Sequence, residues 1–246
     1  MTVPTSAQKT SSTGKLTRPS LRDGVYDAVL ERLLSGELAP GQSLGIESVA
    51  RSLGVSPSPV REALAQLEST GLVTRTALRG YTVADPLSAE QLAELMAARI
   101  VVEVAAVEGV FPVSDGLLKS LRSAHTAHTA AAERIVSALK GKTQALDLTL
   151  VRAYYEADQD FHLVLLENCG NQYLLDMAQS LSPHLHRMRQ EYGAGRSDVE
   201  QATEEHSAVL AAVEAGDPAA ASAAMREHLN AVRSRALSHS ATPVGT

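Results

Sequence analysis

Residues 55–64, Val55-Ser56-Pro57-Ser58-Pro59-Val60-Arg61-Glu62-Ala63-Leu64, place two prolines at the head of an apolar-periodic run. Proline lacks an N–H, so it fits a helix only where no backbone bond to the preceding turn is needed, which is the first turn. Ser56 therefore reads as the N-cap, Pro57 as the first helical position and Pro59 as the third. The helix is expected to run to about Thr70 and to stop at Gly71.

Working outward, Leu21, Val25, Ala28, Val29 and Leu33 recur at helical spacing, and Gly36 and Pro40-Gly41 end that segment. A short helix is expected over about Ile46–Leu53, stopped by Gly54. After Gly71 the pattern changes. Leu72-Val73-Thr74-Arg75 and Tyr81-Thr82-Val83 are β-prone, and Ala77-Leu78-Arg79-Gly80 between them reads as a hairpin loop. Helix, helix-turn-helix and hairpin in that order are the winged helix-turn-helix arrangement. Beyond Asp85-Pro86 nearly everything is helical: about 88–110, 114–140, 145–168, 172–192, 198–215 and 217–237. The expected fold is thus mainly α. A three-helix winged helix-turn-helix with a β-hairpin wing precedes an all-α antiparallel bundle of six to seven helices. The expected division is an N-terminal arm at 1–19, a DNA-binding domain at 20–84, a linker at 85–88, a helical domain at 89–238 and a tail at 239–246.

Composition sets limits on function. Aromatic residues are 3% of the 246, and tryptophan is absent, so Leu, Val and Ala must fill the interior. The single cysteine, Cys169, excludes an intrachain disulfide framework and a multi-cysteine zinc site, which fits a cytoplasmic protein. No run of about 18 apolar residues suggests a membrane span, and the Ser/Thr-rich first nineteen residues lack the apolar core of a signal peptide. Net charge is −6. Residues 20–85 hold six arginines against eight acids. Bulk charge therefore gives DNA binding no support, and the placement of the positive charges must decide.

The motifs carry a resemblance. Leu34-Ser35-Gly36-Glu37-Leu38-Ala39-Pro40-Gly41, Leu53-Gly54-Val55-Ser56, Pro59-Val60-Arg61-Glu62-Ala63-Leu64, Gly71-Leu72-Val73 and Arg79-Gly80-Tyr81-Thr82-Val83 resemble the GntR family of bacterial repressors. The remainder is similar to that family's FadR-type, or FCD, ligand-binding domain. Arg99 and Glu103, Asp158-x-x-Phe161-His162, Gly170-Asn171, Glu205-His206, Gly216-Asp217 and His228 carry that likeness. The resemblance implies a sequence-specific transcriptional regulator, a repressor, that binds double-stranded operator DNA. One departure stands out: Pro57-Ser58 occupies the place where the family usually has Arg-Thr, and that arginine is commonly a DNA contact. Glu47 also stands where some members place a basic residue.

A recognition helix must present donors to phosphates and base edges in the major groove. Ser56, Ser58 and Arg61 lie in its first two turns, and the resemblance makes Arg61 the leading contact, with pairing to a carboxylate such as Glu68 as the bland alternative. Arg75, Arg79 and Gly80 belong to the wing. A twofold homodimer reading a palindrome is expected, since one module reads few base pairs.

The helical half offers a metal site. Asp158 and His162 are four residues apart and share a helix face. His206 and His228 each lie eleven residues from Asp217, where Gly216-Asp217-Pro218 marks a turn, so an antiparallel hairpin puts both at one height, roughly 16 Å from that turn. Three imidazoles and one carboxylate suit zinc first, with nickel, manganese or iron as alternatives. Open coordination positions could take a small carboxylate effector, its far end held by Arg99. On the bland reading Arg99 and Glu103 are a helical salt bridge. His125/His128 and His184/His186 are rival histidine pairs, the first expected to face solvent. The alternative function is a metal-dependent enzyme using the same His3Asp site, though neither His-Glu-x-x-His nor Glu-x-x-His is present.

Overall fold

The computed structural model describes residues 21–76, 80–140, 148–191 and 199–240. The element order is α1 (Leu21–Leu34), β1 (Ser43–Leu44), α2 (Ile46–Leu53), α3 (Pro57–Ser69), β2 (Val73–Thr76), β3 (Gly80–Val83), α4 (Ala89–Gly109), α5 (Asp115–Leu139), α6 (Leu148–Asn168), α7 (Gln172–Glu191), α8 (Val199–Glu214) and α9 (Pro218–Ser240). The fold is mainly α, as expected, with a winged helix-turn-helix followed by a helical bundle. The N-terminal arm and Arg79 lie outside the described residues.

The first core is built from helical and strand periodicity together. Val60, Ala63, Leu64 and Leu67 on α3 follow an i, i+3, i+4, i+7 pattern and are fully buried. They meet Val25, Val29 and Leu33 of α1 and Tyr81 and Val83 of β3. Full burial of one such leucine is worth about 1.5–3 kcal/mol, so these side chains fix how α3 sits. The opposite face of α3, including Arg61, is left exposed.

The hairpin pairs antiparallel, Val73 opposite Val83 through Thr76 opposite Gly80. One element was not foreseen. Ser43–Leu44 forms a two-residue strand on the other side of β3, giving the sheet order β1-β3-β2. Two residues are too few to show an alternating pattern, and this strand exists only through its pairing. α9 continues to Ser240, two residues beyond the expected end of the helical domain at 238.

In the helical half a second core gathers Val107 of α4, Leu121 of α5, Phe161 and Leu165 of α6, Val209 of α8 and Met225 and Leu229 of α9. Local signals set each helix. Ser88 and Gln91 form a capping box at the start of α4. The α8–α9 hairpin turns on Gly216 at φ +68°, with the Asp217 N–H bonded back to the Ala212 carbonyl. Asp217 Oδ1 then accepts the Ala220 N–H at 3.0 Å and opens α9, with Pro218 at its first position.

Candidate metal centre and nucleic-acid interface

The turn at Gly216 delivers His206 of α8 and His228 of α9 to one level, and α6 meets them with Asp158 and His162. All four residues are buried, 0–7% exposed. One donor atom from each lies within 4.8 Å of every other. His206 Nε2 is 3.1 Å from His162 Nε2, 3.2 Å from His228 Nε2 and 3.6 Å from Asp158 Oδ1.

Neighbours outside this set orient the rings. Glu103 of α4 faces His162 Nδ1 at 2.6 Å, and Arg99 Nε holds the other carboxylate oxygen at 2.5 Å. Glu205 of α8 accepts from His228 Nδ1 at 2.8 Å and is clamped by both terminal nitrogens of Arg235, at 2.6 and 3.0 Å. Glu205 fixes the ring hydrogen of His228 on Nδ1, so its Nε2 presents a lone pair to the centre, and the carboxylate of Glu103 close to His162 Nδ1 favours the same tautomer there. Phe161 stacks on the His206 ring at 4.2 Å and 12°.

The electrostatics follow from burial. Burial pushes the Glu103 carboxyl up, but Arg99 and His162 outweigh it and hold the group down at about 2. Burial lowers His206 well below the ordinary imidazole value, with repulsion from His228 and His162 adding to it. Burial also lowers His228, against the opposing pull of Glu205. Burial therefore keeps the His206 and His228 imidazoles neutral at neutral pH, while their charged neighbours keep the Glu103 and Glu205 carboxylates ionised.

These residues fit a metal. The Nε2 atoms of His162 and His228 lie 3.1 and 3.2 Å from that of His206, which can offer at most one hydrogen to the two. Metal–nitrogen bonds of about 2.1 Å set neighbouring ligand atoms about 3.0 Å apart at right angles and about 3.4 Å apart at tetrahedral angles. The two nitrogen–nitrogen spacings at His206 fall in that range, and Asp158 Oδ1 stands slightly farther off at 3.6 Å.

Other expected residues are placed differently. His125 and His128 were expected to face solvent together. Instead they diverge: His125 is half-buried with Nε2 2.9 Å from Ser207 Oγ, while His128 is fully buried with Nδ1 3.0 Å from His206 Nδ1. Three residues of helix turn the side chains about 60° apart, enough to put one at the surface and one inside. Arg99 lies 3% exposed beside the cluster, its Nε committed to Glu103. Glu205 and Arg235 were not singled out as partners of His228. The equal-height rule that paired His206 with His228 also sets Glu205 beside His228, and Arg235 follows His228 by seven residues on one face.

At the other end of the molecule Arg61 and Arg75 flank a cleft of about 260 Å³ between α3 and the wing, lined also by Ile46, Thr76, Gly80 and Tyr81. Arg61 is exposed on α3, and no ion pair ties it to Glu68 or to any other carboxylate among the described residues. Arg75 lies over the Tyr81 ring, 5.8 Å from its centroid. Ser56 is the N-cap of α3, as expected, but its side chain makes no capping bond. A cap side chain serves the second or third helical N–H, and the third position here is Pro59, which has none. Ser58 is exposed at the second position.

Comparison with known proteins agrees with both halves. Residues 21–83 match the family described as bacterial regulatory proteins, gntR family, and residues 94–231 match the FCD domain. The HTH-type transcriptional regulator LutR of Bacillus subtilis is 32% identical over 208 residues, 80% of this chain and 93% of its own length. The HTH-type transcriptional repressor GlaR of Escherichia coli is 28% identical over 204 residues, 80% of this chain and 87% of its own length. Among solved structures, a GntR-type transcriptional regulator from Rhodococcus sp. RHA1 superposes with a TM-score of 0.71 at 23% identity, covering 88% of this chain and 97% of that one. Escherichia coli McbR/YncC does so at 0.69 and 22% identity, with coverage of 87% and 95%. The chain belongs to the GntR family of bacterial transcriptional regulators, with the family's DNA-binding domain followed by an FCD domain.

Proposed function

We propose that this regulator is a repressor whose operator binding is controlled by a small organic acid bound at a divalent metal in the helical domain. The observation that carries the reading is the convergence of Asp158, His162, His206 and His228, with their donor atoms within 4.8 Å of one another in a buried site. Zinc is the first candidate, with nickel, manganese and iron as alternatives. When bound, the metal supplies Lewis-acid positions that an oxygen ligand can fill.

The charge balance around the site favours an anion. Arg99 offsets Glu103 and Arg235 offsets Glu205, which leaves only Asp158 against a divalent cation. One net positive charge in a buried pocket suits a carboxylate. Arg99 supports His162 through Glu103, and its remaining guanidinium nitrogens are its means of reaching the effector.

On DNA, a homodimer sets two α3 helices into the major groove of a palindrome, with Arg61, Ser56 and Ser58 contacting it there. Arg75, Arg79 and Gly80 of the wing approach the backbone. Repression is supported by the printed description of GlaR as a repressor. The metalloenzyme alternative falls with the family, whose members are DNA-binding regulators.

The test is elemental analysis of the purified protein beside Asp158→Ala and His206→Ala. Stoichiometric transition metal is expected in the parent and loss of it in both variants. Full metal retained in both variants would defeat the site. A thermal-shift screen of small organic acids on the metal-loaded protein then finds the effector class.

A further inference from the structure

We infer that His128, a residue of α5 outside the four-ligand set, positions His206 for the metal by accepting the hydrogen on its Nδ1. The inference rests on the metal reading above and concerns a residue that reading leaves unused.

Hydrogen-bond bookkeeping fixes the roles. His206 turns Nε2 toward His162, His228 and Asp158, so with a metal held among these residues that nitrogen offers its lone pair to it. A neutral imidazole then carries its hydrogen on Nδ1. The atom facing Nδ1 is His128 Nδ1 at 3.0 Å, and it can only be an acceptor. His128 therefore carries its own hydrogen on Nε2. That nitrogen has no hydrogen-bond partner, and the nearest carboxylate oxygen is Asp158 Oδ1 at 3.9 Å, which faces the positive end of the N–H dipole.

The arrangement completes a pattern. His162 is backed by Glu103 and His228 by Glu205, while His206 is backed by a second imidazole. His128 is wholly buried and packs on Tyr154 at 4.8 Å, and Phe161 closes the opposite side of His206. The ring of His206 is thus held on its edge by one neighbour and on its face by another. A neutral acceptor keeps the third imidazole from adding another negative charge to the site, preserving the positive balance that draws an anion.

The test uses the full chain with cobalt(II) and zinc(II) as probes. In zinc-loaded protein with 15N-labelled histidine, long-range proton–nitrogen spectra should place the hydrogen on Nδ1 of His206 and on Nε2 of His128. His128→Phe, which keeps a ring but no acceptor, should weaken metal binding by about 10–100-fold in a chelator competition. It should also shift the cobalt absorption bands. His128→Gln, which restores an acceptor, should recover most of the affinity and the bands. The inference is overturned by a hydrogen on Nδ1 of His128, by parental affinity and bands in His128→Phe, or by a His128→Gln protein that melts normally without metal yet binds it no better than His128→Phe. If His128→Phe does not fold, the tautomers and His128→Gln decide alone. A parent chain that takes up neither ion overturns the metal reading itself, an outcome distinct from a parent that binds both and ignores the loss of His128.

Discussion

Arg61 illustrates how a single side chain acquires a role from what its neighbours do. The buried positions of α3 fix the helix's rotation, and Arg61 is left on the outer face with no carboxylate partner among the described residues. An exposed arginine free of ion pairs keeps all five donors for DNA. Replacing it with alanine should lower specific operator affinity by about 1–3 kcal/mol. Arg75, stacked on Tyr81 in the wing, is placed for a phosphate. Its loss should weaken all sequences alike and reduce the salt dependence by about one counterion. Gel-shift titrations at several salt concentrations separate the two effects, and an Arg61→Ala protein with parental affinity would remove Arg61 from the interface. Pro57 and Pro59 have a further consequence. They remove two of the amides with which a helix start normally holds a phosphate, leaving the Ser58 N–H and the uncommitted Ser56 hydroxyl.

The α8–α9 hairpin shows what one turn contributes to a site formed far from it. Gly216 sits at φ +68° with open space around the position of a Cβ. A Gly216→Ala change therefore meets no clash, and the cost is the left-handed backbone itself, about 1–2 kcal/mol. Thermal unfolding should register it as a drop of about 2–4 °C or slightly more for a chain of this size. Unchanged melting would mean that the turn relaxes. This hairpin was legible in the sequence because Gly216, Asp217 and Pro218 each have one good use there, and counting from them aligned His206 with His228. The Asp158/His162 face was legible for the same reason, since a four-residue spacing has one meaning on a helix. His128 was not, because its partner lies across the bundle on α8, and nothing local separates a buried histidine from an exposed one three residues away. β1 escaped for a related reason, since it exists only through its pairing with β3, far along the chain.

At the scale of the whole molecule, one exposed ion pair joins a helix of the metal site to the DNA-binding half and is too weak to carry a switch alone. Arg152 of α6, the helix that also bears Asp158 and His162, reaches Glu31 of α1 at 2.9 Å, and both side chains are more than half exposed. Such a pair is worth about 0–1 kcal/mol, whereas moving a population from mostly one state to mostly the other takes about 5.5 kcal/mol. Arg152→Ala should therefore change operator affinity by no more than about fivefold, and a larger change in a gel shift would make this bridge the coupling element. The stronger global lever is acid. In the metal-free protein His128 is lowered to about 4 by burial, and His206 and His228 are lowered for the same leading cause. Their unfolded counterparts take up protons near pH 6.5, so below that value the unfolded chain binds more protons and stability falls, by at most about 1.4 kcal/mol per pH unit for each such histidine. Glu103 works lower down: its carboxyl, held at about 2, stabilises the fold fully above its ordinary value of 4.5 and loses that contribution as the pH falls toward 2. Chelator-treated protein should thus melt at steadily lower temperature from pH 7 to pH 5, before any carboxylate titrates. Bound metal, which also requires neutral imidazoles, should be released across the same interval. A melting temperature that holds level to pH 5 and drops only below 4.5 would assign the acid sensitivity to carboxylates and remove the histidine cluster as its source.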